Sequence, residues 1–211
     1  MVLKLVLHWE KHDMEKEVID LVYIDDEPEE ALSAYLEDEY KNEKCSLNIE
    51  QIHFKCDQGY ESLLQNDKVI SSNVIVIDSK LFENDNVKHH GKFSGEEFKM
   101  ILRKVYPFIE VVVVSQNGED ENYEIIPKYR SENIESYTEH YEKVLKDKLN
   151  ESINKIITFR NISKKLGMNN EIDKLLIERT VDSLNGISDY EELKKSDIDE
   201  LITAFKKMNQ E

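Results

Sequence analysis

Residues 22–28 read VYIDDEP, a hydrophobic run that ends abruptly on Asp25, Asp26, Glu27 and Pro28. One exposed acid would cap a turn, but two side by side repel each other unless something positive lies between them. The same pattern recurs along the chain. NVIVID (73–78) is a continuous apolar run ending in Asp78, and IEVVVVS (109–115) is another ending in Ser115. Strands without polar alternation are buried on both faces, which implies a parallel sheet covered by helices.

The intervening segments fit that scheme. VIDLVYI (18–24) reads as the first strand, and Pro28 stands where a helix would start. In EEALSAYLEDEY (29–40), Leu32, Tyr35, Leu36 and Tyr40 fall at helical spacing. SLNIEQIHFK (46–55) reads as a second strand and residues 59–67 as a short helix. A polar loop over 79–93 precedes Ser94 and Glu97, a capping box for a helix carrying Phe98, Ile101, Leu102 and Val105. Pro107 stops that helix, and NYEII (122–126) is a fifth, shorter strand. The expected fold is α/β, a doubly wound five-stranded parallel sheet. In such sheets ligands bind beyond the carboxyl ends of the strands. Asp25, Asp26, Asp78, Ser115 and Lys128 would then converge on one rim.

From residue 132 the pattern becomes helical. Ile134, Tyr137, Tyr141, Val144, Leu149, Ile153 and Ile156 trace one stripe of a long helix, and Gly167 ends it or a short successor. Ile172, Leu175, Leu176 and Leu184 mark a second helix. Ser188 with Glu191 caps a third, which carries Ile198, Leu201, Ile202 and Phe205. The sequence therefore divides into a leader segment (1–17), an α/β domain (18–131) and an all-helical C-terminal region (132–211).

Composition excludes several function classes. The net charge is −17, and residues 1–130 carry 28 acidic against 15 basic side chains. Such a surface repels nucleic acid, whose phosphates need clustered Lys and Arg. It suits metal cations and basic protein partners. Cys45 and Cys56, the only cysteines, lack metal or redox spacing. No segment approaches a membrane span, and the N-terminus lacks a signal-peptide pattern, so a soluble cytoplasmic protein is expected.

The ordered set DDEP (25–28), VIVID (74–78), VVVVS (111–115) and Lys128 resembles the receiver domain of two-component response regulators, over roughly residues 18–130. The resemblance implies that Asp78 accepts a phosphoryl group from a histidine kinase or other phosphodonor. It implies that Asp25 and Asp26 join Asp78 in binding Mg2+, and that Ser115 and Lys128 contact the phosphoryl oxygens. Phosphoryl transfer is mostly positioning plus charge neutralisation, so these residue types suit it. A metal between them would explain the adjacent acids of VYIDDEP. Phosphorylation and its later hydrolysis would be the only chemistry, without substrate turnover. The helical region would bind a protein partner, or a second copy through its heptad-like stripe. Divergent receivers of this kind resemble those of bacterial defence and conflict loci.

The sequence departs from the receiver pattern in two places. Only 12 residues separate Ser115 from Lys128, too few for the usual helix and its loops. Proline precedes the lysine, as Pro127, where the family has it following, and this puts the register of Lys128 in question. A pseudo-receiver that keeps the fold as an interaction module is the main alternative. A helix-turn-helix over 162–181 is a weaker one, because Leu175, Leu176 and Ile177 read as core. A nuclease reading of DSK (78–80) is weaker still. His89 and His90 read as a solvated loop.

Overall fold

Five strands form one sheet in which every pairing is parallel: β1 (Glu17–Asp25), β2 (Cys45–His53), β3 (Val74–Asp78), β4 (Glu110–Ser115) and β5 (Ile125–Pro127). The spatial order is β2-β1-β3-β4-β5, the flavodoxin-like doubly wound order. The computed structural model describes residues 16–55, 59–82, 94–116, 124–132, 134–167 and 181–182. The chain divides into two compact units, Met1–Ile157 and Thr158–Glu211. The first unit thus runs well past residue 131, where the sequence pattern changes.

The continuous apolar strands are buried throughout, as their composition demands. Every residue of β3 and β4 is buried. Val22 and Ile24 of β1, Ile75 and Ile77 of β3, and Val111 and Val113 of β4 face one cluster. Leu63 of α2 (Glu61–Leu64), Val69 of α3 (Asp67–Ile70), and Phe98 and Leu102 of α4 (Gly95–Val105) close it. By strand alternation Leu21, Tyr23, Val74, Val76, Val112 and Val114 face the opposite way, and all are buried too. Leu32, Tyr35, Leu36, Tyr40, Tyr141, Leu145, Leu149 and Ile153 lie outside the first cluster and are fully buried. They come from α1 (Glu30–Ala34), the π-helical turn Tyr35–Glu39 and Tyr40 after it, and from α5 (Tyr137–Val144), Leu145 and α6 (Lys146–Gly167). Tyr35 stacks obliquely on Tyr141 at 5.3 Å and on Tyr40 at 6.1 Å, so aromatic contacts join the first helical segment to α5.

Three differences from the sequence reading have physical causes. The long helix expected from about 132 starts at Tyr137, because Ser136 and Glu139 form a capping box. Ile134 therefore leaves the stripe and is fully exposed. The helix is also interrupted at Leu145 (φ −108°), although the bonds from Leu145 N–H to Tyr141 O (2.9 Å) and from Leu149 N–H to Leu145 O (3.0 Å) carry through. The stripe is buried inside the first unit, with Leu145 taking the place of Val144, so these residues do not offer a coiled-coil seam. The connection from β4 to β5 spans only residues 116–124, as short as the sequence spacing requires. Parallel crossovers ordinarily take a dozen residues or more. Of the leader expected over 1–17, residues 1–15 lie outside the described residues and Glu17 opens β1. His89, His90, Cys56, the third helix with its capping box, and most of the second helix and of the 162–181 segment also lie outside them.

The N-terminus of α4 docks on the end of β3. The expected capping box is present, with Ser94 Oγ accepting from Glu97 N–H and the Glu97 carboxylate accepting from Ser94 N–H. Gly95 N–H donates to Ser79 O (2.8 Å), and Ser79 Oγ donates to the buried Glu96 carboxylate (2.7 Å). A Cβ at Gly95 would lie 2.5 Å from Asp78 O. Helix propensity alone would favour alanine by up to ~1 kcal/mol. The backbone clash reverses that sign, and Gly95→Ala is expected to lower stability by about 1–3 kcal/mol in urea denaturation.

Candidate functional site

The strand order reverses between β1 and β3, and that is where a doubly wound sheet opens its ligand crevice. Register decides which residues meet there. Ile24 pairs with Ile77, so the next step brings Asp25 level with Asp78. Asp78 in turn pairs with Val114, and Ser115 pairs with Pro127. Hydrogen bonds from Ser79 N–H to Val114 O and from Lys128 N–H to Ser115 O, each 2.8 Å, carry the ladder past the strand ends. All five residues singled out in the sequence therefore reach the same rim.

Carboxylate oxygens of Asp25, Asp26 and Asp78 lie within 4.8 Å of one another. Asp25 and Asp78 are buried, and Asp26 is half-buried. Neither Asp25 nor Asp26 caps α1, whose N-cap is Glu29 without a side-chain capping bond. Lys128 fixes its own register. Its Nζ lies 2.6 Å from Asp25 Oδ2 and 2.6 Å from Asp78 Oδ1, so the preceding Pro127 does not turn it away. Ser115 is buried at the end of β4, and its carbonyl holds the Lys128 backbone.

Further donors orient the acids. Asp25 Oδ1 accepts from Glu27 N–H (3.0 Å), and Asp78 Oδ2 accepts from Lys80 N–H (2.7 Å). Asp25 Oδ2 also accepts from the hydroxyl of Tyr23 at 2.5 Å. Tyr23 escaped the sequence reading; the available signal was its place two residues before Asp25, on the same strand face. Glu29, Tyr129 and Tyr141 also stand in this neighbourhood, linked by hydrogen bonds that no sequence pattern announced.

Electrostatics follow from burial. Desolvation pushes the Asp78 carboxyl above its ordinary range; the Lys128 hydrogen bond and charge pull it back, and Asp25 pushes it up again. Burial alone would lower the Lys128 ammonium, but its hydrogen bonds to Asp25 and Asp78 outweigh that and hold it above its usual value. Three carboxylates against one ammonium leave a formal charge of −2 at the rim. Hard oxygen donors with this excess charge match a hard divalent cation such as Mg2+. Asp25, Asp26 and Asp78 are the residues that would hold it.

Two variants separate these effects. Lys128→Met leaves buried acids uncompensated and is expected to cost about 3–5 kcal/mol. Asp78 works in the other direction. Its folded pKa is raised, so its charge costs stability above that pKa, and the cost vanishes as pH falls through it. Asp78→Asn, in chelator, is therefore expected to stabilise the protein by ~1 kcal/mol at neutral pH. That gain should shrink as the pH approaches 3.8, the ordinary carboxyl value. Urea denaturation against pH measures both.

No family model and no curated protein matches the chain. Response regulators are among the solved structures that resemble it. One is a two-component transcriptional regulator AraC from Clostridium phytofermentans ISDg, with 16% identity over 66% of this chain and 95% of that one, at a TM-score of 0.40. Another is the Salmonella typhimurium response regulator RcsB, with 16% identity over 83% of this chain and 94% of that one, at 0.33. A third is an RcsB–DNA complex, with 15% identity over 82% and 94%, also at 0.33. Scores of this size carry no inference about activity. The receiver-like architecture stands on the chain's own all-parallel sheet, its strand order and its acidic rim.

Proposed function

We propose that the chain is a divergent response-regulator receiver that accepts a phosphoryl group on Asp78, with Mg2+ held by Asp25, Asp26 and Asp78. The observation that carries this reading is Lys128, whose Nζ lies 2.6 Å from both Asp25 and Asp78 at the carboxyl end of a parallel sheet.

The chain's own groups suit the chemistry. An Asp78 carboxylate oxygen would bond to phosphorus as the donor's P–N or P–O bond breaks, and the electron pair would leave with the donor. The Lys128 ammonium is placed to accompany charge from the carboxylate to the phosphoryl oxygens. The Ser115 hydroxyl would donate to one of those oxygens. A bound divalent cation supplies charge neutralisation that lets two anions approach. Water attacking phosphorus would later restore Asp78 and release phosphate. A histidine kinase or a small acyl phosphate would serve as donor. Output would pass to a protein partner of the C-terminal region, or to a second copy of the chain. A place in a bacterial defence or conflict system belongs to the same proposal and rests on the sequence resemblance alone.

The short β4–β5 connection favours a second reading, an interaction module that keeps the fold without using phosphate, because receivers commonly signal through a helix at that position. Intact mass after incubation with magnesium and acetyl phosphate separates the two. A gain of one phosphoryl group, absent in Asp78→Asn and absent in chelator, is the expected result. No gain together with no magnesium binding in calorimetry would leave the interaction module.

A further inference from the structure

Five hydrogen bonds close a ring that begins and ends at Asp25. The Tyr23 hydroxyl donates to Asp25 Oδ2 (2.5 Å) and accepts from Glu29 N–H (3.2 Å). The Glu29 carboxylate accepts from the Tyr141 hydroxyl (2.8 Å). That hydroxyl accepts from Tyr129 N–H (3.0 Å), and the adjacent Lys128 returns to Asp25 Oδ2 (2.6 Å). Each hydroxyl has one donor and one acceptor role filled, so neither rotates without breaking the ring. Burial pushes Tyr23 and Tyr141 above the usual tyrosine range, with their carboxylate neighbours adding to it, so both remain donors.

The ring spans β1, the turn into α1, the segment after β5, and α5. A second contact fastens α5 to the end of β5: His140 Nε2 lies 2.9 Å from Pro127 O. Asp25 Oδ2 is the crowded point. It accepts from both Tyr23 and Lys128, while Oδ1 accepts from Glu27 N–H. A cation on Asp25 must share those lone pairs, and the Lys128 ammonium, being of like charge, gives way most readily. A displacement of Lys128 that reaches its backbone moves the neighbouring Tyr129 N–H, which is bonded to Tyr141 of α5.

We propose that Tyr23 is a positioning residue for the acidic site, and that the ring it closes couples occupancy of that site to α5. The inference rests on the reading of the rim as a metal-binding receiver site. It supplies a route for the signal through α5, where the nine residues between β4 and β5 leave no room for the helix that receivers ordinarily use.

The test uses the full chain, magnesium calorimetry and amide hydrogen exchange over Tyr137–Val144. Tyr23→Phe is expected to bind magnesium ~10-fold more weakly, the usual loss when a group orienting a ligand is removed. Magnesium is expected to change α5 exchange several-fold in the wild type, and Tyr141→Phe is expected to erase that response. A merely structural Tyr141 would alter basal exchange and leave the response to magnesium intact, which would overturn the coupling. Wild-type affinity in Tyr23→Phe would overturn the positioning role. Magnesium that binds the wild type without changing α5 would overturn the coupling while leaving the proposed function standing. Magnesium that fails to bind the wild type would overturn both.

Discussion

The ammonium of Lys128 sits between two buried carboxylates from different strands, and the carboxyl-end rim of the sheet is organised around it. Without a cation there, Asp25 and Asp78 would face each other across neighbouring strands with their charges unscreened and largely out of water. The sheet brings them together regardless, because the β1–β3 register is set by the burial of Leu21, Val22, Tyr23 and Ile24 against Val74 to Ile77. Hydrophobic burial thus holds an electrostatically unfavourable pair in place, and Lys128 makes it tolerable.

That conflict is the mark of a site. The Lys128 ammonium bridges two of the three clustered carboxylates, Asp25 and Asp78, and the third, Asp26, stands beside them. The same logic places α4, whose first turn comes so close to the Asp78–Ser79 backbone that only glycine fits at position 95. The segment following Asp78 is therefore held by a helix start as well as by the strand.

Much of this could be read in the sequence, and the reason is topological. Continuous apolar runs such as VIVID and VVVVS identify buried parallel strands, and the carboxyl ends of parallel strands lie on one rim whatever the loops do. Asp25, Asp78, Ser115 and Lys128 were found by that rule, even though the reversed Pro127–Lys128 order differs from the family pattern. What depends on three-dimensional neighbours was not legible. The hydroxyl of Tyr23 is held on Asp25 by the turn into α1, whose Glu29 N–H donates to it, and that turn is not written in the strand pattern. The bond between Tyr141 and Glu29 joins residues 112 positions apart. The interruption at Leu145 leaves no mark in an apolar stripe that would fit an unbroken helix equally well.

The two borders of the sheet are unlike. On one side β5 has three residues, and the last, Pro127, has no backbone N–H to donate. On the other, β2 runs for nine residues. An extended peptide seeking to lengthen the sheet would find too few partners beside β5 to compensate the entropy it loses on ordering. Among the described residues, the border nearest Lys128 thus offers another chain much less to pair with than the nine residues of β2 do.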